Sequence, residues 1–234
     1  MTIRRALLLA RMDPPASNEA AWHTWYNFTH VANRQTLPGF RSARRFAQVE
    51  GLPVAYHTPG QAQYLALYDV QSIRVLTGPA YTRVREQEAA TPPESYEHQI
   101  SSLPKFARLI YRQIYPDNQE YTPSGTKYVF VVGHDVPRHK HREFNAWYNT
   151  EHIPDLLAVP GFVTIRRFRL EENTIPPITG QGGMASQYLT IWDLDSPDAL
   201  TCTEFTNRSA SPWTQWVRSW YTRKICTLYR QIYP

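Results

Sequence analysis

The chain has 234 residues, is 42% hydrophobic and 19% charged, and carries a formal charge of +5; that suffices for a sizeable core, in one domain or two. No stretch approaches the roughly 20 apolar residues of a membrane span, and acidic residues interrupt the basic ones so that no Lys/Arg run reaches five, which argues against a nucleic-acid partner and leaves an anionic small molecule open. The two cysteines, Cys202 and Cys226, form neither a disulfide framework nor a metal-ligand spacing, so a reducing, cytoplasmic setting is expected, with no metal.

The first apolar run, Ala6 to Ala10, is cut off by Arg11 and Asp13. A secretory core needs about 7–15 apolar residues, so this run reads as a buried strand. Ala21, Trp25, Phe28 and Ala32 then fall at helical spacing. Pro38-Gly39 is a turn, Phe40 to Phe46 a second strand, Glu50 to Gly60 a loop and Tyr64 to Tyr68 a third strand. An extra segment around Arg85 to Pro93 precedes a strand ending in Tyr111-Arg-Gln-Ile-Tyr-Pro116. After the polar stretch Asp117 to Gly125 the series starts again. Tyr128 to Val132 is a strand, and Phe144, Trp147 and Glu151 mark a helix. Pro160-Gly161 is a turn, Phe162 to Phe168 a strand, Glu171 to Gly183 a loop and Tyr188 to Trp192 a strand. Ser196-Pro197-Asp198 has the cap, proline and acid of a helix start, and the last strand ends in Tyr229-Arg-Gln-Ile-Tyr-Pro234.

The recurrence is one of sequence as well as order. Trp25-Tyr-Asn and Trp147-Tyr-Asn, His30 and His152, Pro38-Gly-Phe and Pro160-Gly-Phe, and Arg44-Arg-Phe and Arg166-Arg-Phe all align at an offset of 122 without a gap. The expected fold class is α+β: two ferredoxin-like βαββαβ repeats, residues 1–118 and 125–234, packed sheet to sheet as a pseudo-dimeric α/β barrel around a shared core or pocket. Two separate domains joined at Asp117 to Gly125 are the alternative.

Trp147-Tyr-Asn-Thr-Glu-His-Ile-Pro, with the later Val-Pro-Gly-Phe and Arg-Arg-Phe, resembles the EthD-like group of dimeric α/β-barrel proteins. The resemblance covers each half nearly end to end. The first half departs from it, with Thr29 and Ala32 where the second has Glu151 and Pro154. The broader superfamily holds isomerases, polyketide cyclases, monooxygenases without cofactors, haem enzymes and proteins of unknown role, so the resemblance implies the fold far more than the reaction.

Two histidines lead the candidate catalytic residues. His152 lies four residues after Tyr148, as His30 does after Tyr26, so each pair is expected to share a helix face. An imidazole suits proton transfer, and a helix end signalled by Pro154 is expected to favour its protonated form. Capping or backbone binding is the competing reading, even with catalysis for His152 and ahead of it for His30. Asn149 and Asn27 are placed to orient the histidines or to hold a substrate oxygen. In each Arg-Arg pair, neighbours on a strand face opposite ways, so Arg44 or Arg45, and Arg166 or Arg167, points into the barrel. There it either holds a substrate anion or pairs with a carboxylate such as Asp69 or Asp193. Tyr111 with Gln113, and Tyr229 with Gln231, alternate onto one strand face and either line a pocket or cover the seam between halves. Trp213, Trp216 and Trp220 form a packing stripe. His134, His139 and His141 stand among Arg138, Lys140 and Arg142 in what reads as an exposed loop.

Together these features lead to a cofactor-independent acid–base enzyme (an isomerase, a lyase or dehydratase, or a cyclase) acting on a small carbonyl- or lactone-containing metabolite inside the barrel. The alternative is a non-catalytic small-ligand-binding or stress-related barrel. A homodimer is left open, as is an assembly role for the Trp stripe.

Overall fold

A computed structural model describes residues 5–117, 119–172, 177–180 and 185–234. The expected loop at Glu171 to Gly183 lies partly outside these, as do the first four residues of the signal-like start. The elements follow the order read from the sequence. Strand β1 (Ala6–Met12) leads to helix α1 (Glu19–Trp25), a π-helical turn (Tyr26–Val31) and α2 (Ala32–Gln35). Next come β2 (Phe40–Gln48), β3 (Tyr64–Val70), helices α3 (Ile73–Thr77), α4 (Pro79–Ala89) and α5 (Tyr96–Gln99), and β4 (Ala107–Tyr115). The second half runs β5 (Tyr128–Asp135), α6 (His141–Trp147), a second π-turn (Tyr148–His152), α7 (Ile153–Leu157), β6 (Phe162–Leu170), a short β7 (Ile178–Thr179) and β8 (Tyr188–Leu194). Helices α8 (Thr203–Arg208) and α9 (Pro212–Arg218) then lead to β9 (Arg223–Tyr233). Pro38-Gly39 and Pro160-Gly161 turn as expected, with φ of 90° and 92° at the two glycines, a region only glycine enters freely. The Ser196 hydroxyl accepts from the backbone N–H of Asp198 at 3.1 Å.

The long strands close into an eight-stranded antiparallel barrel in the order β1-β3-β2-β9-β5-β8-β6-β4, with β4 returning to β1. The hexapeptide that ends each half makes the two closures. Tyr111 and Gln113 stand opposite Leu170 and Phe168, and Tyr229 and Gln231 opposite Gln48 and Phe46. Closure removes the exposed edges that a lone four-stranded sheet would offer to other chains.

The core has three parts. Leu7, Leu9, Leu67, Leu109, Val131 and Ile191 belong to the cluster that fills the barrel. Two further clusters lie outside it, one under the helices of each half. An eight-stranded barrel is just wide enough to be filled by its own side chains. Protein side chains therefore occupy the middle of the barrel; two cavities lie between the barrel wall and the helices, and a third, about 220 Å³, lies beside Gln113, Tyr121 and Arg166 where the connecting stretch meets the barrel.

Candidate active site

Each site grows from a π-turn. The sequence read as one α-helix widens at Tyr26–Val31 and at Tyr148–His152, positions related by the offset of 122. π-Turns of this kind often mark functional sites. The buried stripe runs through Trp22, Tyr26 and His30 at a spacing of four, whereas Ala21 is exposed and Phe28, expected on the packed face, is 68% exposed. Tyrosine and histidine do share a face, with ring centroids 4.6 Å apart for Tyr26 and His30 and 5.0 Å for Tyr148 and His152.

The second-half cavity has a volume of about 380 Å³. The barrel wall supplies Phe130, Val132 and His134 from β5, Trp192 from β8 and Lys224 from β9; the helix layer supplies Tyr148, His152, Leu156, Phe205 and Arg218, with Tyr221 just beyond α9. His152 stacks on Trp147 at 4.4 Å, and its Nδ1 is buried without a hydrogen-bond partner among the described residues. Burial first, then Arg218, Arg167 and Lys224, push its pKa down to about 3. The expectation of a protonated His152 at a helix end is thus overturned: the chain continues into α7, and the imidazole is a buried neutral base. His134 is 3% exposed with its own Nδ1 unpartnered, and burial and the same cations hold its pKa well below the usual value. Its ring lies 4.7 Å from Tyr221 and 5.9 Å from Tyr148. Burial raises the pKa of both tyrosines, so they remain hydroxyl donors at neutral pH. Among the described residues no carboxylate lines this cavity.

The Arg-Arg pairs divide between faces, as the strand period requires. Arg45 and Arg167 point to the helix layer. Arg167 donates to Asn149 Oδ1 at 2.5 Å and Asn145 Oδ1 at 2.9 Å, with its guanidinium 4.0 Å from the Tyr148 ring centre. Arg45 likewise donates to Asn27, and lies 4.2 Å from the Tyr26 ring centre. Asn27 and Asn149 therefore anchor buried arginines that support the tyrosines, and neither lines its half's cavity. Arg44 and Arg166 share the barrel-facing side with Phe46 and Phe168. Arg166 pairs with Asp69 across the halves, and both guanidiniums stack on Tyr121 from the connecting stretch. Tyr121 in turn donates to Asp193 Oδ2 at 2.5 Å.

The tyrosines proposed as substrate ligands end on protein groups. Tyr111 donates to the carbonyl of Ser186 at 3.1 Å and Tyr229 to that of Ala62 at 3.0 Å. Gln113 donates to the carbonyls of Pro116 and Gln119, and Gln231 lies on the β2–β9 seam. Tyr111, Tyr229 and Gln231 line neither helix-side cavity, whereas Gln113 lines the third cavity with Tyr121 and Arg166.

The first-half cavity, about 280 Å³, is lined by Tyr26, His30, Arg34, Tyr68, Tyr81, Glu88 and Arg108 among others. Glu88 comes from α4, within the extra segment of this half. It accepts from both Nη atoms of Arg34 and lies 3.4 Å from His30 Nδ1. Burial and Arg34 lower the His30 pKa to about 4, while Arg34 and His30 hold the Glu88 carboxyl down at about 2 against its burial.

Sequence reasoning missed His134, Tyr221, Arg218, Lys224 and Glu88. His134 was legible: Phe130, Val132 and His134 alternate with Val129, Val131 and Gly133, so it belongs to the helix-facing row of β5 rather than to an exposed loop. The others come from elements distant in sequence, with no shared motif. Among the described residues no group of three or more His, Cys, Asp or Glu side chains is placed to hold a metal, and no helix is long and apolar enough to cross a membrane.

Residues 127–233 match the model of a domain of unknown function (DUF4286), and no curated protein matches the chain. Solved structures resemble it over nearly its whole length. An anthrone oxidase-like protein superposes with a TM-score of 0.61 at 13% identity, covering 98% of this chain and 92% of its own. A protein provisionally designated a chlorite dismutase gives 0.57 at 11%, with coverages of 99% and 96%. One from Fusobacterium nucleatum, provisionally designated a monooxygenase, gives 0.56 at 6%, with 99% and 93%. At such identities the likeness is one of fold: the chain shares the antiparallel α+β barrel of monooxygenase-like and chlorite dismutase-like proteins.

Proposed function

We propose that the chain is a cofactor-independent acid–base enzyme (an isomerase, a lyase or dehydratase, or a cyclase) built by tandem duplication of an EthD-like, ferredoxin-like unit. The observation that carries this reading is the second-half cavity, where two buried neutral imidazoles, two tyrosine hydroxyls and two cations meet over an apolar floor. His152 takes a proton from the carbon next to a carbonyl or lactone. Tyr148 or Tyr221 donates to the oxygen that becomes negative, and Arg218 and Lys224 stabilise that charge where little water competes. The protonated His152 then returns the proton, to the same carbon or to another position of the anion, which restores the neutral imidazole. The low basicity of His152 arises partly from those same cations, so an anionic substrate or enolate beside them raises it when the base is needed.

The structural neighbours designated monooxygenase and anthrone oxidase-like support a second reading, in which the same carbanion reacts with dioxygen. The test is hydrogen–deuterium exchange at the α-carbon of compact keto acids and lactones, followed by NMR in D₂O, with dissolved oxygen recorded in parallel. The wild-type chain is expected to catalyse exchange, and His152→Ala to lose it by at least about a hundredfold. Exchange surviving unchanged in His152→Ala sinks the assignment. Oxygen uptake alongside exchange selects the second reading, and saturable binding without exchange selects a non-catalytic ligand carrier.

A further inference from the structure

The first-half cavity shares no lining residue with the second, and its uncommitted groups have a consistent character. Its two carboxylates are already engaged. Glu88 is held by Arg34 through both oxygens, and Glu97 Oε1 accepts from Trp25 Nε1 at 2.6 Å. Its donors are not all engaged. Arg108 enters from β4 and shares Nε and Nη2 with the Tyr81 hydroxyl at 3.3 and 3.2 Å, while its Nη1 is buried with no hydrogen-bond partner among the described residues. His30, 7% exposed, is engaged with Glu88 through its Nδ1 at 3.4 Å. Arg85 stands exposed at the rim. A buried guanidinium N–H without an acceptor is costly and uncommon, and a carboxylate meets a guanidinium with matched geometry. Tyr68, Tyr81, Phe106 and Leu8 supply aromatic and aliphatic walls. A volume of about 280 Å³ is small for a ligand site and admits one ring with a short substituent.

We propose that this cavity is a second ligand site, which takes a compact aromatic monocarboxylate with its ring against Tyr68, Tyr81 and Phe106 and its carboxylate on Arg108. The site is independent of the acid–base reading of the second half and involves no covalent step. The α4 segment that distinguishes this half both supplies Tyr81 and neutralises Arg34 through Glu88, which leaves Arg108 as the anchor.

The test is calorimetric titration of the full chain with benzoate and with benzyl alcohol, in an Arg218→Met background so that the second-half cavity has lost one of its cations. One benzoate is expected to bind, at least tenfold more tightly than benzyl alcohol. Adding Arg108→Met should weaken benzoate tenfold or more and erase the preference. Ala10→Leu, which fills the cavity from β1 and leaves Arg108 in place, should weaken both probes; it keeps the question answerable if Arg108→Met does not fold. Absence of saturable benzoate binding, or binding that neither substitution changes, overturns the proposal.

Discussion

In the second half, the imidazole at the end of the π-turn faces a cavity lined by Arg218 and Lys224 and, among the described residues, by no carboxylate. In the first half its counterpart, His30, lies 3.4 Å from Glu88, which also grips Arg34. The backbone motif, the tyrosine four residues earlier and the arginine–asparagine support are the same in both. What differs is the segment packed over the motif: α4 with its carboxylate in one half, α9 and the start of β9 with their cations in the other. Two matching π-turns can thus keep the same positioning machinery while the covering helix sets the sign of the field at the histidine.

The comparison is broken most directly by exchanging the histidines. His152→Ala should cost about two orders of magnitude or more in α-proton exchange, whereas His30→Ala should leave exchange within about threefold. Equal losses in the two variants would mean that the halves are not chemically distinct. The next effect is on stability and belongs to the first half. Glu88→Gln leaves Arg34 buried without its counter-charge, a loss of about 3–5 kcal/mol by the usual cost of breaking a buried pair, read as a lower urea midpoint. A change below about 1 kcal/mol would show that α4 is not fastened through this pair.

The buried histidines give a pH dependence with a definite sign. His30, His134 and His152 are all held below the ordinary histidine value, His30 at about 4 and His152 at about 3. Above about pH 6.5 they are neutral in both folded and unfolded chains and their contribution is constant. As pH falls below that value the unfolded chain takes up protons that the folded one refuses, and stability declines toward pH 4. Each histidine adds a slope approaching about 1.4 kcal/mol per pH unit. Glu88 adds to the decline at lower pH, because its contribution is present above about 4.5 and lost as pH falls through about 2. Denaturant midpoints measured from pH 7.5 to 4.5 check this. A flat profile would place the imidazoles in contact with water, and replacing one histidine with Gln should reduce the slope by one proton.

Much of the architecture was legible in the sequence because repetition and strand period are local signals. The repeated hexapeptide reads as a strand end that either lines a pocket or covers a seam, and the strands lie where the apolar runs put them. The pairing of His152 with Tyr148 was also visible. The π-turns were not, because an α-helical period was assumed through Trp25 and Phe28; Ala21 is already exposed in α1, where the packed stripe runs through Trp22. Nor was the position of the cavities. Strands such as Ala6–Met12 are buried on both faces, so the pattern does not say which face leaves room. Arg218 and Lys224 reach His152 from more than 60 residues away in sequence, where only tertiary packing brings them together.

The smallest expected effect concerns Glu151, which the second half has and the first lacks. Its presence beside His152 suggests a catalytic carboxylate, but Glu151 Oε1 accepts from the Ser211 hydroxyl at 2.5 Å, and Ser211 caps α9 by accepting from the Thr214 N–H at 2.9 Å. Glu151 therefore fastens the π-turn to the start of the helix that carries Arg218. Glu151→Gln keeps an oxygen that can accept from Ser211 and removes only the charge. Stability should fall by about 0.5–1.5 kcal/mol, and α-proton exchange should fall less than tenfold, with the same pH dependence as the wild type. Glu151→Ala, which also frees the cap, should cost more in stability without changing the pH profile. A loss of activity in Glu151→Gln comparable to that of His152→Ala, with the fold intact, would instead make the carboxylate a partner in proton transfer. The asymmetry between the halves would then begin at the π-turn itself rather than at the helix that covers it.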